Sequence, residues 1–252
     1  MRRRTEQGGG MLSKNIASYL PVIAASLGAV ASIFVASPAH AEAHVGAGLI
    51  GIVGGNFLDK PDRTADEPDI YPGYGGFTGG GGLMLDGRVL KELLGIEVDI
   101  IRSSDKGKGT VTFNGVDFKQ TVGQGAWHVP VLAKITIPSP LIAPQFFLGP
   151  EFVFPSSPTS SVEGPSTALG TIAFTTNATA GNYVMITGGL GVEIKLPLPI
   201  IDLRIPVGLR ASFNPGVSSK FADRVQIGTA GATYNTEWKY AVNFTAGAAL
   251  YF

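Results

Sequence analysis

The feature that most limits how this sequence can fold is a two-residue alternation of apolar and polar side chains. It recurs in stretches of roughly ten residues, the length that a tilted strand needs to cross a bilayer. In the clearest stretch, Ile201, Leu203, Ile205, Val207 and Leu209 alternate with Asp202, Arg204, Pro206, Gly208 and Arg210. Because successive side chains of a β-strand point to opposite faces, this period predicts strands with one apolar face. Beyond position 42 there is no run of about 18 apolar residues, which argues against membrane-spanning helices and favours an all-β protein.

The alternation predicts eight strands. We place them near 43–53, 74–86, 94–104, 120–137, 143–154, 182–196, 200–213 and 236–252. The links between them alternate between short (87–93, 138–142 and 197–199) and long (54–73, 105–119, 155–181 and 214–235). An even number of antiparallel strands with such links predicts a single eight-stranded transmembrane β-barrel, with short periplasmic turns and long extracellular loops.

A soluble barrel or sandwich has the same two-residue period, so the period alone does not choose between water and lipid. Two further observations favour a membrane barrel. The charges in the middle of the strands all fall on the less apolar face, and aromatic residues stand near strand ends on the apolar face. We predict that Trp127, Trp238 and Tyr240 form an aromatic girdle at the membrane surface.

The second face of the predicted strands carries charges of both signs. The acidic members are Glu97, Asp99, Glu151, Glu193 and Asp202, and the basic members are Lys134, Lys195, Arg204, Arg210 and Lys239. An eight-stranded barrel is only wide enough for its own side chains, and a buried charge is costly unless it is paired. We therefore expect a closed lumen filled by an ion-pair network.

The N-terminal segment has the pattern of an export signal. Arg2, Arg3, Arg4 and Lys14 precede an apolar stretch from about Tyr19 to Val35, and Ala39-His40-Ala41 matches a cleavage site. We predict a signal peptide over 1–41, cleaved after Ala41, and a barrel over 42–252; an N-terminal membrane anchor is the alternative. The sequence does not decide whether translation starts at Met1 or Met11. There are no cysteines, so no disulfide can hold the fold.

The C-terminal residues resemble the assembly signal of bacterial outer-membrane β-barrels, with a polar Thr245, Gly247, an apolar Leu250 and a terminal aromatic Phe252. This resemblance implies recognition by the barrel-assembly machinery and a location in the bacterial outer membrane. The segments 128–134 and 147–151 are similar to the outer membrane protein beta-barrel domain family, and the whole pattern over 43–252 resembles the small OmpA/OmpX-type barrels. The family offers no shared catalytic or binding residues to assign here.

Chemical sites are weakly represented in the sequence. The histidines beyond the predicted leader are His44 and His128, and no Gly-x-Ser-x-Gly motif is present. We predict that His128 forms hydrogen bonds in the lumen and that the protein is not an enzyme. The acidic segment 59–69 predicts a solvated loop, with divalent-cation binding as the alternative. We expect no cofactor and no metal.

The sequence leaves three functions open. The first is a structural or loop-mediated interaction role in the outer membrane, with lipid around the barrel and an external partner that the sequence does not identify. The alternatives are a narrow porin-like channel for small solutes and a lipid-modifying enzyme. A slight excess of acidic residues beyond position 41 does not favour nucleic acid as a partner, and we expect a monomer.

Overall fold

The computed structural model describes residues 43–113, 115–163, 176–228 and 231–252. The predicted signal peptide lies outside the described residues. The elements in chain order are β1 (His44–Leu58), β2 (Tyr74–Val89), β3 (Leu94–Phe113), β4 (Val116–Thr136), β5 (Ile142–Pro155), β6 (Thr159–Glu163), β7 (Thr176–Thr179), β8 (Tyr183–Pro197), β9 (Asp202–Phe213), α1 (Phe221–Arg224), β10 (Val225–Gly228), β11 (Gly231–Asn235) and β12 (Tyr240–Tyr251). Within these residues, no helix is long and apolar enough to cross a membrane.

Eight of the strands form a closed antiparallel ring. Neighbours around the ring are β1, β2, β3, β4, β5, β8, β9 and β12. The ring closes where β1 pairs with β12, from Gly46 opposite Tyr251 to Phe57 opposite Tyr240. The all-β, eight-stranded fold class predicted from the sequence is confirmed.

The two faces of the ring differ as the alternation predicted. Along β9, Leu209 is 48% exposed on the outer face, whereas its neighbour Arg210 is buried in the lumen. The outer face of the other strands is likewise covered by exposed Leu, Ile, Val and Phe side chains. The inner face carries buried Asp, Glu, Lys, Arg, Thr and Gln residues. The barrel is thus apolar outside and polar inside.

One predicted loop is wrong. The segment 105–119 is not an irregular loop, because β3 and β4 continue as a hairpin out to Phe113 and Val116. The physical reason is that the alternation does not stop at 104: Asp105 and Gly107 face inward and are buried, while Lys106 and Lys108 are exposed. Because the outer face of this extension carries charged side chains, the alternation of apolar and polar residues did not predict it.

The short link after β2 has an unusual backbone. Leu90, Lys91 and Glu92 have φ values of 54°, 54° and 70°. The turn is left-handed, a conformation that L-residues adopt at a cost. As a result the Glu92 side chain is turned towards the periplasmic end of the lumen.

The long links carry ordered structure outside the membrane. Strand β6 adds to the extended part of β4, and β10, β11 and β7 form a separate three-stranded sheet. The short helix α1 leads directly into β10. Among the described residues, the largest hydrophobic cluster lies at the extracellular end of the barrel, and α1, β10 and β11 contribute side chains to it.

Candidate functional site: the charged lumen and its extracellular cap

Ion pairs fill the periplasmic half of the lumen. Arg88 on β2 contacts Asp86 at 2.7 Å and also contacts Glu193. Lys134 on β4 contacts Asp86 at 2.6 Å and Glu97 at 2.5 Å. These side chains are almost completely shielded from solvent. Because a buried ion costs several kcal/mol unless it is paired, each of these charges depends on its neighbours.

Arg210 on β9 forms the next layer of the lumen. Its terminal nitrogens lie 2.6 Å from Asp99 and 2.5 Å from Glu97, and its guanidinium lies 5.3 Å from the ring centroid of Phe147. Glu97 has a second cation in Lys134. Among the described residues, Arg210 is the only cation that contacts Asp99.

A further group of ion pairs closes the periplasmic rim. Arg204 contacts Glu92 at 2.6 Å, Glu193 at 3.2 Å and Asp202, and Lys195 contacts Glu92 at 2.5 Å. Burial alone would raise the pKa of the Glu92 carboxyl. Its hydrogen bonds and charge interactions with the two cations outweigh burial and lower this pKa to about 2.

Tyr251 on β12 joins the rim to the layer above it. Its hydroxyl donates to Asp86 at 2.7 Å and accepts a hydrogen bond from Arg88 at 2.6 Å. The guanidinium groups of Arg204 and Arg88 lie 4.0 and 4.8 Å from its ring centroid. Tyr251 therefore links the strand that closes the ring, which pairs with β1 and β9, to the ion pairs of the lumen.

The structure places one predicted lumen charge elsewhere. Lys239 lies at the extracellular end, where its ammonium pairs with Asp59 at 2.5 Å. This prediction is wrong because β12 begins at Tyr240, so the strand period does not extend back to Lys239. The other predicted lumen charges lie on the inward face or at its rim.

Sequence reasoning also missed Asp86, Arg88 and Glu92. The predicted second strand ended at 86, so Arg88 and Glu92 were assigned to a turn. The spacing of Met84, Asp86 and Arg88 is a strand spacing, and this signal would have extended the strand. Glu92 has no such signal, because its position depends on the left-handed turn.

A hydrogen-bonded chain of Ser103, His128 and Glu151 crosses the lumen above Arg210. Ser103 Oγ lies 3.0 Å from His128 Nε2, and His128 Nδ1 lies 2.6 Å from Glu151 Oε1. This is the order of nucleophile, base and acid in Ser-His-acid hydrolases. The sequence identified His128 as a lumen residue, but Ser103 is on another strand and carries no motif.

The surroundings of this chain do not suit catalysis. All three side chains are buried inside the barrel, with Ser103 only 3% exposed. Glu151 is also held by the hydroxyls of Thr187 and Ser212. A hydrolase needs substrate access to the nucleophile and N–H donors for an oxyanion. The backbone at Ser103 is paired with strands on both sides, so the geometry supports a structural layer of polar side chains.

Asp105 lies nearer the extracellular end and is not paired with a cation among the described residues. Thr78 donates a hydrogen bond to one carboxylate oxygen, while the other oxygen has no protein partner in the described part of the chain. Gln124 stands opposite Asp105 on β4, and its side-chain amide is also unpartnered there. Charge balance in the lumen is therefore incomplete at this level.

An aromatic cluster caps the extracellular end. Tyr71 packs edge-to-face against Tyr74 and Tyr234, with ring centroids 5.3 Å apart in both pairs. The Tyr71 hydroxyl donates to the Asn235 carbonyl at 2.9 Å and accepts from Arg224 at 3.0 Å. Burial raises the pKa of Tyr71 to about 12, so this hydroxyl stays protonated and remains a donor at neutral pH.

Trp238 belongs to this cap and not to the aromatic girdle. It is 2% exposed and packs within the same hydrophobic cluster. The girdle prediction is wrong for Trp238 for the same reason as for Lys239, because both residues precede β12. Trp127 and Tyr240 are half exposed on the outer face of the barrel.

Several carboxylates of the acidic segment 59–69 form ion pairs with Lys and Arg side chains. Asp59 contacts Arg224 at 3.0 Å and Lys239 at 2.5 Å, and Lys60 contacts Asp69 at 2.6 Å. Burial opposes ionisation of Asp59, but the two cations lower the pKa of its carboxyl. In the described parts of the chain, no group of three or more His, Cys, Asp or Glu side chains is placed to hold a metal.

The predicted assembly signal lies on the last strand. Thr245 is buried on the lumen face, where a Cβ at Gly247 would come within 2.5 Å of the Leu49 carbonyl. Leu250 and Phe252 point outward, and Phe252 is 81% exposed. The role of these residues in assembly stays a prediction.

The exposed apolar side chains on the outer face of the ring, which form a belt around the barrel, indicate whether it lies in water or in lipid. A continuous surface of Leu, Ile, Val and Phe around a closed strand ring would be unfavourable in water. In lipid it is favourable, because a closed barrel satisfies its backbone hydrogen bonds internally. With an even number of antiparallel strands, a polar interior and girdle aromatics, the chain is a transmembrane β-barrel of the bacterial outer-membrane type.

No protein-family model matches the chain, and no curated protein matches it. It is similar to the crystal structure of Neisserial surface protein A, with 11% identity over 83% of this chain and 97% of that one, and a TM-score of 0.34. It is also similar to Ail, the attachment invasion locus protein of Yersinia pestis, solved in complex with the heparin analogue sucrose octasulfate. There the identity is 12% over 84% of this chain and 99% of that one, with a TM-score of 0.32. Likenesses at this level give no information about what this chain binds.

Proposed function

We propose that the protein is a non-conducting outer-membrane barrel that carries a folded extracellular platform for an external partner. The observation that supports this most directly is the filling of the lumen. The side chains of four lumen residues have no solvent-exposed surface: Asp86, Arg88, Lys134 and Glu193. A channel would need these charges to separate, and each separation leaves a buried ion unpaired.

The cap supports the same proposal from the extracellular side. Tyr71 and Arg224 tie the loop after β1 to the loop after β9 through the contacts described above. Arg224 also donates to the Asp59 carbonyl at 2.7 Å. These bonds hold the small sheet of β7, β10 and β11 as ordered structure. Ile227 on β10 is 61% exposed there, as expected of a surface available to a partner.

Conductance measurements test the closed lumen. The purified barrel in a planar bilayer should give no stable, salt-dependent current. A variant with Arg88→Ala and Lys134→Ala removes two lumen cations and is the matched comparison, because it opens space without touching the cap. A steady current through the unmodified protein would contradict the proposal and favour the narrow channel.

Proteolysis of intact cells tests the platform. Arg224→Ala removes the contacts to Asp59 and Tyr71, so the loops should become protease-sensitive while the barrel remains folded on a gel. Lys220→Ala, on an exposed neighbour in the sequence, should leave the loops resistant. If the unmodified loops are cleaved as readily as those of the Arg224 variant, there is no ordered platform.

The partner itself is tested by replacing loop residues. Cells that display the protein are compared with cells in which residues 60–69 and 215–235 are exchanged for short Gly-Ser turns. We expect binding to external surfaces or soluble host components to fall in the exchanged strain. Equal binding by both strains would contradict a loop-mediated role.

The Ser103-His128-Glu151 chain keeps the lipid-modifying enzyme as a second candidate. A fluorophosphonate probe tests it directly, since it labels activated serines. We expect no label on Ser103, because the lumen packing excludes the probe. Labelling that is lost in Ser103→Ala would favour the enzyme.

A further inference from the structure

We propose that a basic ladder on the outer face of β3 binds the phosphate groups of lipid A, the phosphorylated glycolipid of the outer leaflet. The ladder consists of Arg102, Lys106 and Lys108, which are exposed on the same outward face of the strand, with Ser104 between the first two. The inference rests on the outer-membrane placement of the barrel and not on what the extracellular loops bind.

The height of the ladder on the barrel is the first support. A strand rises about 3.3 Å per residue and tilts by roughly 40°, so each residue advances about 2.5 Å along the barrel axis. Counted from Leu94, the first residue of β3, Arg102 lies about 20 Å, Lys106 about 30 Å and Lys108 about 35 Å up the axis. The apolar band of such a barrel is about 25 Å tall. The ladder therefore spans the boundary between acyl chains and headgroups.

Aromatic neighbours mark the same boundary independently. Arg102 stands directly opposite Trp127 on β4, and its guanidinium lies 5.6 Å from that ring centroid. Lys106 stands opposite Phe77 on β2, and both aromatic side chains are about half exposed. Long basic side chains beside girdle aromatics place their charges at the lipid surface.

The strands on either side of the ladder carry few outward side chains. Apart from Phe77, Trp127 and Thr121, their outward positions at this level are glycines, at Gly75, Gly79 and Gly81 on β2 and at Gly123 and Gly125 on β4. The ladder thus rises from a shallow groove with Phe77 on one side and Trp127 on the other.

Packing restricts the outward glycines less than it restricts the inward ones. A Cβ at Gly75 would make only ordinary contact, 3.7 Å from the Phe57 ring, and one at Gly81 would meet the Ile50 carbonyl at 3.3 Å. The inward Gly76 and Gly82 differ, because a Cβ there would lie within 2 Å of a backbone oxygen. The outward face beside the ladder is flat, and it leaves room for an acyl chain.

The charge of the groove is of one sign. Among the described residues, no acidic side chain occupies an outward position on β2, on β3 between Leu94 and Thr112, or on β4 between Trp127 and Lys119. Lys106 and Lys108 form no ion pair within the described parts of the chain, and Arg102 donates a hydrogen bond to Ser156 at 3.0 Å. Three cations near one membrane surface attract an anionic headgroup, and a lipid that carries two phosphates offers two anionic groups to them.

The test compares lipids that differ only in phosphate. The full-length barrel in detergent is mixed with equal amounts of bisphosphorylated and dephosphorylated lipid A, and the retained lipid is measured by mass spectrometry. The unmodified protein should retain the phosphorylated form in large excess. Lys106→Gln with Lys108→Gln should weaken its retention about 30-fold, since each basic residue near an anionic surface contributes a roughly sixfold affinity.

Two further variants separate the parts of the groove. Lys91→Gln with Lys220→Gln removes equal charge from exposed positions outside the groove and should retain lipid like the unmodified protein. Gly81→Leu fills the floor and should lower retention of both lipids while keeping the preference for phosphate. Heat-modifiable migration on a gel verifies that each variant is folded.

Three results would overturn the proposal. The first is equal retention of phosphorylated and dephosphorylated lipid by the unmodified protein. The second is full retention by the folded Lys106 and Lys108 variant. The third is binding of a soluble anionic polysaccharide through these lysines without selectivity for the phosphorylated lipid, which would assign the ladder to an external polyanion.

Discussion

Removal of Arg210 should destabilise the barrel by leaving Asp99 buried without a cation. Arg210 contacts both Asp99 and Glu97, but Glu97 keeps Lys134 when Arg210 is absent. Breaking a buried pair costs about 3–5 kcal/mol. Since only one of the two carboxylates is orphaned, we expect Arg210→Ala to lie near 3 kcal/mol in the free energy of unfolding.

A second substitution identifies the origin of that loss. Asp99→Asn in the Arg210→Ala background removes the unpaired charge, so the double variant should regain more than about 1 kcal/mol. The assay is urea unfolding of the barrel in lipid vesicles, followed by tryptophan fluorescence. Arg63→Ala, at an exposed loop pair, should change stability by less than about 1 kcal/mol. A loss below 1 kcal/mol for Arg210→Ala, or no recovery in the double variant, would refute the assignment of the cost to Asp99.

Three other predictions follow from the membrane placement, the last strand and the periplasmic rim. Leu190→Arg, at the centre of β8 and 58% exposed, should lower the free energy of unfolding in lipid by about 2–4 kcal/mol. Ile227→Arg on the extracellular sheet should change it by almost nothing. Equal urea midpoints for the two variants would contradict the contact of the apolar outer face with lipid. Phe252→Ser should leave export intact but reduce the folded barrel in outer-membrane fractions, and normal folded levels would remove the assembly role. The stabilisation by Glu92, whose folded pKa of about 2 lies below its usual 4.5, should be complete above pH 4.5 and decline as the pH falls towards 2. The difference in unfolding midpoint between the unmodified protein and Glu92→Gln measures this stabilisation. A difference that grows on acidification would contradict a lowered pKa of Glu92 in the folded state.

The strands of the barrel could be predicted from the sequence because their alternation depends only on neighbouring residues. A two-residue period requires only that neighbouring side chains face opposite solvents, so β9 could be assigned from Ile201 to Leu209 alone. The inward charges of β9, such as Arg210, followed from the same parity. The prediction failed where a strand ends: Trp238 and Lys239 have the parity of β12 but precede it, and their positions depend on the cap.

Pairing partners in the lumen could not be predicted. Arg88 and Glu193 are 105 residues apart, and they meet only because the ring brings β2 and β8 to the same depth. The same holds for Ser103 and His128, whose alignment depends on the register of the extended β3–β4 hairpin. The outer basic ladder was hidden for a different reason, since Lys106 and Lys108 interrupt the apolar face by which strands were recognised.

The contacts that hold the cap together also determine when the cap can fold relative to the barrel. Tyr71 and Asn235, which hold the cap together, are 164 residues apart in the chain and come from the links that flank β1 and β12. Their contact therefore becomes favourable only after those two strands have met, because closing so long a loop earlier costs entropy without reward. The outermost part of the molecule is thus the last to become ordered, and a protected cap on the cell surface reports that the barrel beneath it has closed.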